Sequence, residues 1–176
     1  MLCVVGKYRT GKSYLLNKLL QHSPIESKSY AGFQVAPTVN PCTKGLWLLK
    51  HIFYFSKADG KISYNKPKKG DALPVLVVDT EGIGAFNEED NHDSKIFLLG
   101  MLLSSLLVYN SVGPIDEASL ENLALIVNLS KTLRIKDGEG AVSEEEFASY
   151  FPTLIWVLRD FMLKLEDKDG NEITSK

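Results

Sequence analysis

GKYRTGKS, residues 6 to 13, decides how the chain is read. Gly6, Gly11, Lys12 and Ser13 fit the pattern G-x-x-x-x-G-K-[ST], and the four positions between, Lys7, Tyr8, Arg9 and Thr10, are expected to supply mostly backbone. A strand-like run, MLCVV (1 to 5), enters the loop. SYLLNKLL (13 to 20) leaves it, with Leu15, Leu16, Leu19 and Leu20 spaced as a buried helical stripe. Glycines let the backbone close on a phosphate and aim successive N–H groups at it, and the first helical turn adds unpaired N–H groups and a positive dipole end. Lys12 is then expected to reach the β and γ phosphates and the Ser13 hydroxyl to bind Mg²⁺. The pattern does not explain Arg9, three residues before Lys12.

The 176 residues suit one domain, and 44% hydrophobic with 24% charged residues allows an ordinary folded core. A net charge of −2 gives no reason to expect nucleic acid. Lys57, Lys61, Lys66, Lys68 and Lys69 crowd one Gly-, Asn- and Pro-bearing stretch, which reads as a solvated loop before it reads as an anionic-surface site. Cys3 and Cys42 have neither a C-x-x-C nor a zinc spacing, so both read as reduced thiols of an intracellular, cytoplasmic protein. IFLLGMLLSSLLVY (96 to 109) is too short to span a membrane and reads as a core helix running into a strand. No signal peptide is visible, and the ending ITSK offers no prenylation box.

Along the chain, a turn-rich segment (22 to 45) precedes LWLLKHIFYF (46 to 55), read as one long strand. DALPVLVVDTEG (71 to 82) reads as one apolar strand ending at Asp79, of the kind covered on both faces of a parallel sheet. A helix is expected over 94 to 105, a strand over LLVYN (106 to 110), and a helix over 117 to 133 with Leu120, Leu123, Ala124 and Val127 on one side. After the acidic loop KDGEGAVSEEE, TLIWVLRDF (153 to 161) reads as a further buried strand. The alternation implies an α/β fold, a mainly parallel sheet with helices on both faces, and ligands at the carboxyl ends of its strands. Gly6, Asp79 and the pair Arg159-Asp160 all fall there.

Asp79, closing an apolar strand in VVDTEG, is placed to hold a magnesium shell, and the Gly82 N–H to meet a γ phosphate. A switch segment needs one hydroxyl to sense that phosphate, and Thr38 and Thr43 both qualify. The N-K-x-D box of small GTPases is missing, since Asn17-Lys18 and Asn65-Lys66 lack the aspartate. Asp160 is the substitute: a carboxylate can accept both N–H groups of guanine, an edge that adenine does not present. On these residues alone an Arg-Asp surface pair is an equal reading. His22, His51 and His92 receive no catalytic role, and the acidic loop FNEEDNHD (86 to 93) is expected to be a second switch.

In order and spacing, GKYRTGKSYLLNKL, TVNPCTKGLW, VVDTEGIG, DSKIFLLGMLLSSLLVYNSVG and FPTLIWVLRDFMLKLE resemble the guanylate-binding proteins of the dynamin superfamily, over essentially the whole chain. The RD pair in place of N-K-x-D is shared with the related atlastins, whereas YRTGKSYLLN and LLSSLLVYNS look more like guanylate-binding proteins. The resemblance implies a three-layer P-loop GTPase fold, with residues 1 to 176 forming one partial GTPase domain. It implies Mg²⁺-dependent hydrolysis of GTP to GDP, in a family that can go on to GMP, stimulated by homodimerisation through the nucleotide face. It also implies the roles of single residues. Arg9 becomes an internal arginine finger. Gly6, Lys7, Tyr8, Thr10, Gly11, Lys12, Ser13 and Tyr14 line the nucleotide, Ser13, Thr43 and Asp79 hold the metal, Gly82 meets the γ phosphate, Glu81 orients the attacking water, and Arg159 with Asp160 reads guanine.

Two departures stand out. Pro41 occupies the place, two residues before the switch threonine, where the best-known members carry a serine that helps position water, so a GTP-binding switch or scaffold with negligible hydrolysis is the second reading. An unrelated ATPase is a third. The family also carries sequence before the first strand and, after the RD strand, a guanine cap, further helices and a helical domain. The chain therefore reads as a fragment with exposed apolar surface, and membrane association as a property of a full-length protein not encoded here.

Overall fold

The computed structural model describes residues 1–21, 32–35, 43–63, 65, 72–84, 90–117, 119–121, 123–124 and 151–173. Thr38, Pro41, Cys42, His22, Lys66, Lys68, Lys69, residues 86 to 89 of the acidic loop and the KDGEGAVSEEE loop lie outside them. Strand β1 (Leu2–Val5) leads through the glycine loop into helix α1 (Lys12–Gln21). Then follow β2 (Leu46–Leu48), β3 (Phe53–Ser56), β4 (Ile62–Ser63), β5 (Ala72–Val75), β6 (Val77–Thr80), α2 (Asp90–Leu103), β7 (Leu106–Val112) and β8 (Thr153–Arg159).

Five strands form a mixed sheet in the order β2-β6-β1-β7-β8. The pairs β1–β6, β1–β7 and β7–β8 are parallel, and β2 runs antiparallel to β6. Successive side chains of a strand point to opposite faces, and the core divides accordingly. Val4, Val77 and Val108 pack with Leu16 and Leu20 of α1. Cys3, Val5, Val78, Leu107 and Tyr109 pack with Phe97 and Met101 of α2. Among the described residues α1 thus packs on one face and α2 on the other, as the alternation of apolar segments predicts. Cys3 is fully buried, and burial pushes its thiol up to about 12, with the negative charge of Asp79 adding to the effect. The thiol is therefore unreactive at neutral pH.

Several expected elements differ. Residues 46 to 55 are two strands in two sheets, because β3 joins a second, antiparallel sheet ordered β4-β3-β5. Leu49 N still bonds to Val77 O at 2.9 Å and its side chain is buried, whereas Lys50 and Ile52, at the corner before β3, are exposed. Residues 71 to 82 divide in the same way into β5 and β6. Pro74 accounts for it: proline gives no N–H to a ladder, and β5 is the edge strand of the small sheet. The strand carrying Asp79 ends one residue later, at Thr80, whose hydroxyl donates to Val4 O at 2.8 Å.

Helix α2 starts a turn earlier than expected and ends at Leu103, where Ser104 returns both its N–H and its hydroxyl to Met101 O. The helix expected over 117 to 133 is described only to residue 124, with Asp116 capping its start through Ser119 N at 2.8 Å. β8 was expected to be buried and is instead the sheet edge, with Leu154 and Ile155 each 45% exposed. Trp156 anchors it, stacking edge-on against Tyr109 at 5.4 Å and donating from Nε1 to Ser111 Oγ. Apolar surface continues beyond β8, where Met162 and Leu163 are exposed. Among the described residues no helix is long and apolar enough to cross a membrane.

Candidate active site

The glycine loop sits at the carboxyl end of β1, between the ends of β6 and β7. Gly6 has φ +146°, and a Cβ there would lie 2.1 Å from Asn110 O, so only glycine lets the loop leave β1 this close to β7. On the β6 side the loop is laced to the next segment by Tyr8 N to Ile83 O (2.9 Å) and Ile83 N to Gly6 O (3.1 Å). Gly82 lies beneath this ladder. A Cβ on it would meet Tyr8 Cα at 2.2 Å and Lys12 Nζ at 2.8 Å. Gly82→Ala is therefore expected to destabilise the protein by about 2–3 kcal/mol, because backbone rather than a flexible side chain must move. Urea unfolding of the variant checks this, and an unchanged midpoint would contradict the packing.

Beneath the loop, three residues converge. Ser13 Oγ donates to Asp79 Oδ2 at 2.5 Å and Thr43 Oγ1 to the same oxygen at 3.1 Å, with the two hydroxyls 3.5 Å apart. Thr43 thus reaches the cluster, while Thr38 lies outside the described residues. Burial pushes the Asp79 carboxyl up, against the hydrogen bond from Ser13, the charge of Lys12 and the hydrogen bond from Thr43, in that order. Asp79 Oδ1 is buried and has no hydrogen-bond partner.

An orphaned carboxylate oxygen beside two hydroxyls fits a small, hard cation that keeps several of its waters, as Mg²⁺ does. Among the described residues no group of three His, Cys, Asp or Glu is arranged to hold a metal, and this donor set is of the other kind, hydroxyls around one carboxylate.

Lys12 lies 6% exposed, and its Nζ donates to Lys7 O at 3.1 Å. Burial lowers its pKa to about 8, while Asp79 and Glu81 pull the other way. An ammonium so poorly compensated gains from any anion brought to it. Glu81 is 5% exposed; Oε2 accepts from Gly45 N at 2.8 Å, and Oε1 is buried without a hydrogen-bond partner. His92 Nε2 stands 3.5 Å from Glu81 Oε2, a neighbour that the sequence reading placed in a solvated loop.

Arg9, in contrast, is exposed and its guanidinium carbon lies 5.9 Å from the centre of the Tyr8 ring. Tyr14 is half exposed, with Lys18 Nζ 5.6 Å from its ring centre. Lys7 Nζ pairs with Asp116 Oδ2 at 2.6 Å.

At the end of β8, Asp160 is exposed at φ +53°, a left-handed conformation otherwise taken, among the described non-glycine residues, by Arg9 at +58°. Arg159 turns back to the loop. Its Nε donates to Asn110 Oδ1 at 3.0 Å, and its guanidinium lies 3.1 Å from where a Gly11 Cβ would stand. Asn110, fully buried, also donates from Nδ2 to Thr10 O and Thr10 Oγ1, both at 3.0 Å. Sequence reasoning overlooked Asn110 and Asp116, and it gave His92 no role. For Asn110 a signal existed, an amide inside the apolar strand LLVYNSV.

The fold and this cluster define an α/β protein whose glycine loop, buried lysine and hydroxyl-carboxylate group meet at the carboxyl ends of parallel strands. The chain belongs to the guanylate-binding protein family: the model described as "Guanylate-binding protein, N-terminal domain" matches residues 1–176. It is similar to guanylate-binding protein 3 of Homo sapiens (39% identical over 180 residues, 99% of this chain and 26% of the relative). It is also similar to guanylate-binding protein 2 of Homo sapiens (38% over 181 residues, 99% and 27%) and of Mus musculus (36% over 181 residues, 99% and 27%). The chain thus spans about a quarter of the length of these relatives.

Proposed function

We propose that this chain binds GTP with Mg²⁺ and hydrolyses it to GDP. The observation that carries the reading is the convergence of Ser13 and Thr43 on a buried Asp79 whose second oxygen has no partner, directly below the glycine loop. Family membership supports guanine over adenine, since the relatives' name states what they bind. On this reading residues 1 to 176 form one three-layer P-loop GTPase unit of dynamin-superfamily type in the cytoplasm.

The loop N–H groups and Lys12 take the β and γ phosphates, and the negative charge of the phosphates offsets the burial that disfavours the charged form of Lys12. Mg²⁺, when bound, would supply positive charge that neutralises the phosphates. Ser13, Thr43 and Asp79 are the residues that would hold it. Thr43 and Gly45 sit on one segment, and Glu81 fixes that segment through Gly45 N, so the carboxylate that faces the attacking water also sets the switch backbone. Asp160 accepts the N–H pair of guanine at the open end of β8. Arg9 completes the site when two nucleotide faces meet, and cleavage of a second phosphate to give GMP is a separate step that product analysis has to decide.

One observation favours the second reading, a GTP-binding switch with negligible turnover: Arg9 is exposed, with its guanidinium over the ring of Tyr8. GTP turnover measured with Mg²⁺ over a range of protein concentrations, with GTP, GDP and GMP separated, decides between them. Specific activity that rises with concentration is expected. GTP that stays bound and intact at every concentration would leave the switch reading.

A further inference from the structure

We propose that Asn110 is a positioning residue that couples the base-reading end of the site to the phosphate loop. The inference rests on the guanine-nucleotide reading above. Asn110 is fully buried, uses all its side-chain polar groups, and is the joint of a continuous path. Arg159 Nε donates to its Oδ1, and its Nδ2 donates to Thr10 O and Oγ1. Thr10 Oγ1 in turn donates to Lys7 O at 2.8 Å, the carbonyl that also accepts from Lys12 Nζ. One side of the amide therefore holds the residue next to Asp160, and the other holds the loop that presents Lys12.

The backbone at both ends has to be held. Asp160 is in a left-handed conformation that an aspartate does not favour, and Arg159 O accepts from Gly113 N at 2.7 Å, so the strand end is fixed from both sides of the peptide. The loop carries Arg9 in the same conformation immediately before Thr10. An amide is the side chain that serves both ends. A carboxylate has no donor for Thr10 O, and an alkyl group has neither donor nor acceptor. Asn110 does not contact the reacting groups itself; it acts through Thr10 and Arg159.

Equilibrium binding of GTP, ITP and GMP in the presence of Mg²⁺ tests this. The preference for GTP over ITP reports the 2-amino group of guanine and hence the base end, and the preference for GTP over GMP reports the phosphate end. Asn110→Ala is expected to reduce both preferences by about fivefold or more, the scale of one buried hydrogen bond at each end. Asn110→Asp keeps an acceptor for Arg159 and loses both donors to Thr10, so it is expected to reduce only the phosphate preference.

A merely structural residue would lower thermal stability and leave both ratios intact in the folded protein. Both ratios unchanged in Asn110→Ala, or only one changed, overturns the coupling. Should Asn110→Ala fail to fold, Asn110→Asp decides: loss of the phosphate preference alone supports the coupling, and any other pattern overturns it. If the unaltered chain prefers neither GTP over ITP nor GTP over GMP, the nucleotide reading itself has failed. If it shows both preferences and the variants retain them, only the coupling has.

Discussion

Arg9→Ala is expected to lower GTP turnover by about 10³-fold or more at protein concentrations where the unaltered chain is activated, with little change in GTP affinity. The charge on a transferring phosphoryl group spreads over its oxygens only as the transition state forms, so a guanidinium that reaches it then changes the rate and not the binding. Arg9 is exposed and stacked on Tyr8, so its removal leaves no buried group unpaired. Its φ of +58° requires a control, since alanine tolerates that conformation poorly and glycine adopts it freely. Arg9→Gly should therefore lose as much activity as Arg9→Ala while folding at least as stably as the unaltered chain. Unchanged turnover in both variants would remove Arg9 from the chemistry.

Asp160→Asn is expected to weaken GTP binding roughly 10²-fold and to bring XTP to a comparable or better affinity. The carboxylate accepts two N–H groups from guanine, whereas the amide offers one donor and one acceptor, which matches the 2-oxo edge of xanthine. Asp160 is exposed and left-handed, a conformation asparagine adopts at least as well, so the exchange is structurally mild. Competition of GTP, XTP and ATP for each protein measures it. A GTP-to-XTP ratio that does not move would assign base recognition elsewhere.

Much of the architecture was legible because it depends on local spacing. The β1–loop–α1 unit is specified by its glycines and leucine stripe, and the expected strand LLVYN (106 to 110) by its apolar run, although β7 continues two residues further, to Val112. The same kind of reading misled where the chain turns a corner after Leu49, at exposed Lys50, and Pro74 was the available sign that β5 could not continue into the main sheet. It misled again at β8, since an apolar run reads alike in a central strand and at an edge.

At the site, the residues that sequence singled out by chemistry, Ser13, Thr43 and Asp79, do meet. Of the two candidate threonines, Thr43 reaches the carboxylate, a contact that only the fold makes visible. Those left out act across long separations, Asn110 on Thr10 and Asp116 on Lys7, and no local pattern reveals such a pairing. Gly82 was read as a phosphate donor, and its close approach to Tyr8 is visible only in three dimensions.

The left-handed conformations of Arg9 and Asp160 have a bearing on engineering this chain. A scheme that ranks substitutions by backbone compatibility would choose glycine or asparagine at positions 9 and 160 and would score the result as improved. Applied without regard to ligands, thermostabilisation would erase the arginine and the aspartate on which turnover and base choice are expected to rest. Libraries built from this domain should hold those two positions fixed and seek added stability elsewhere, such as the half-exposed face of β8.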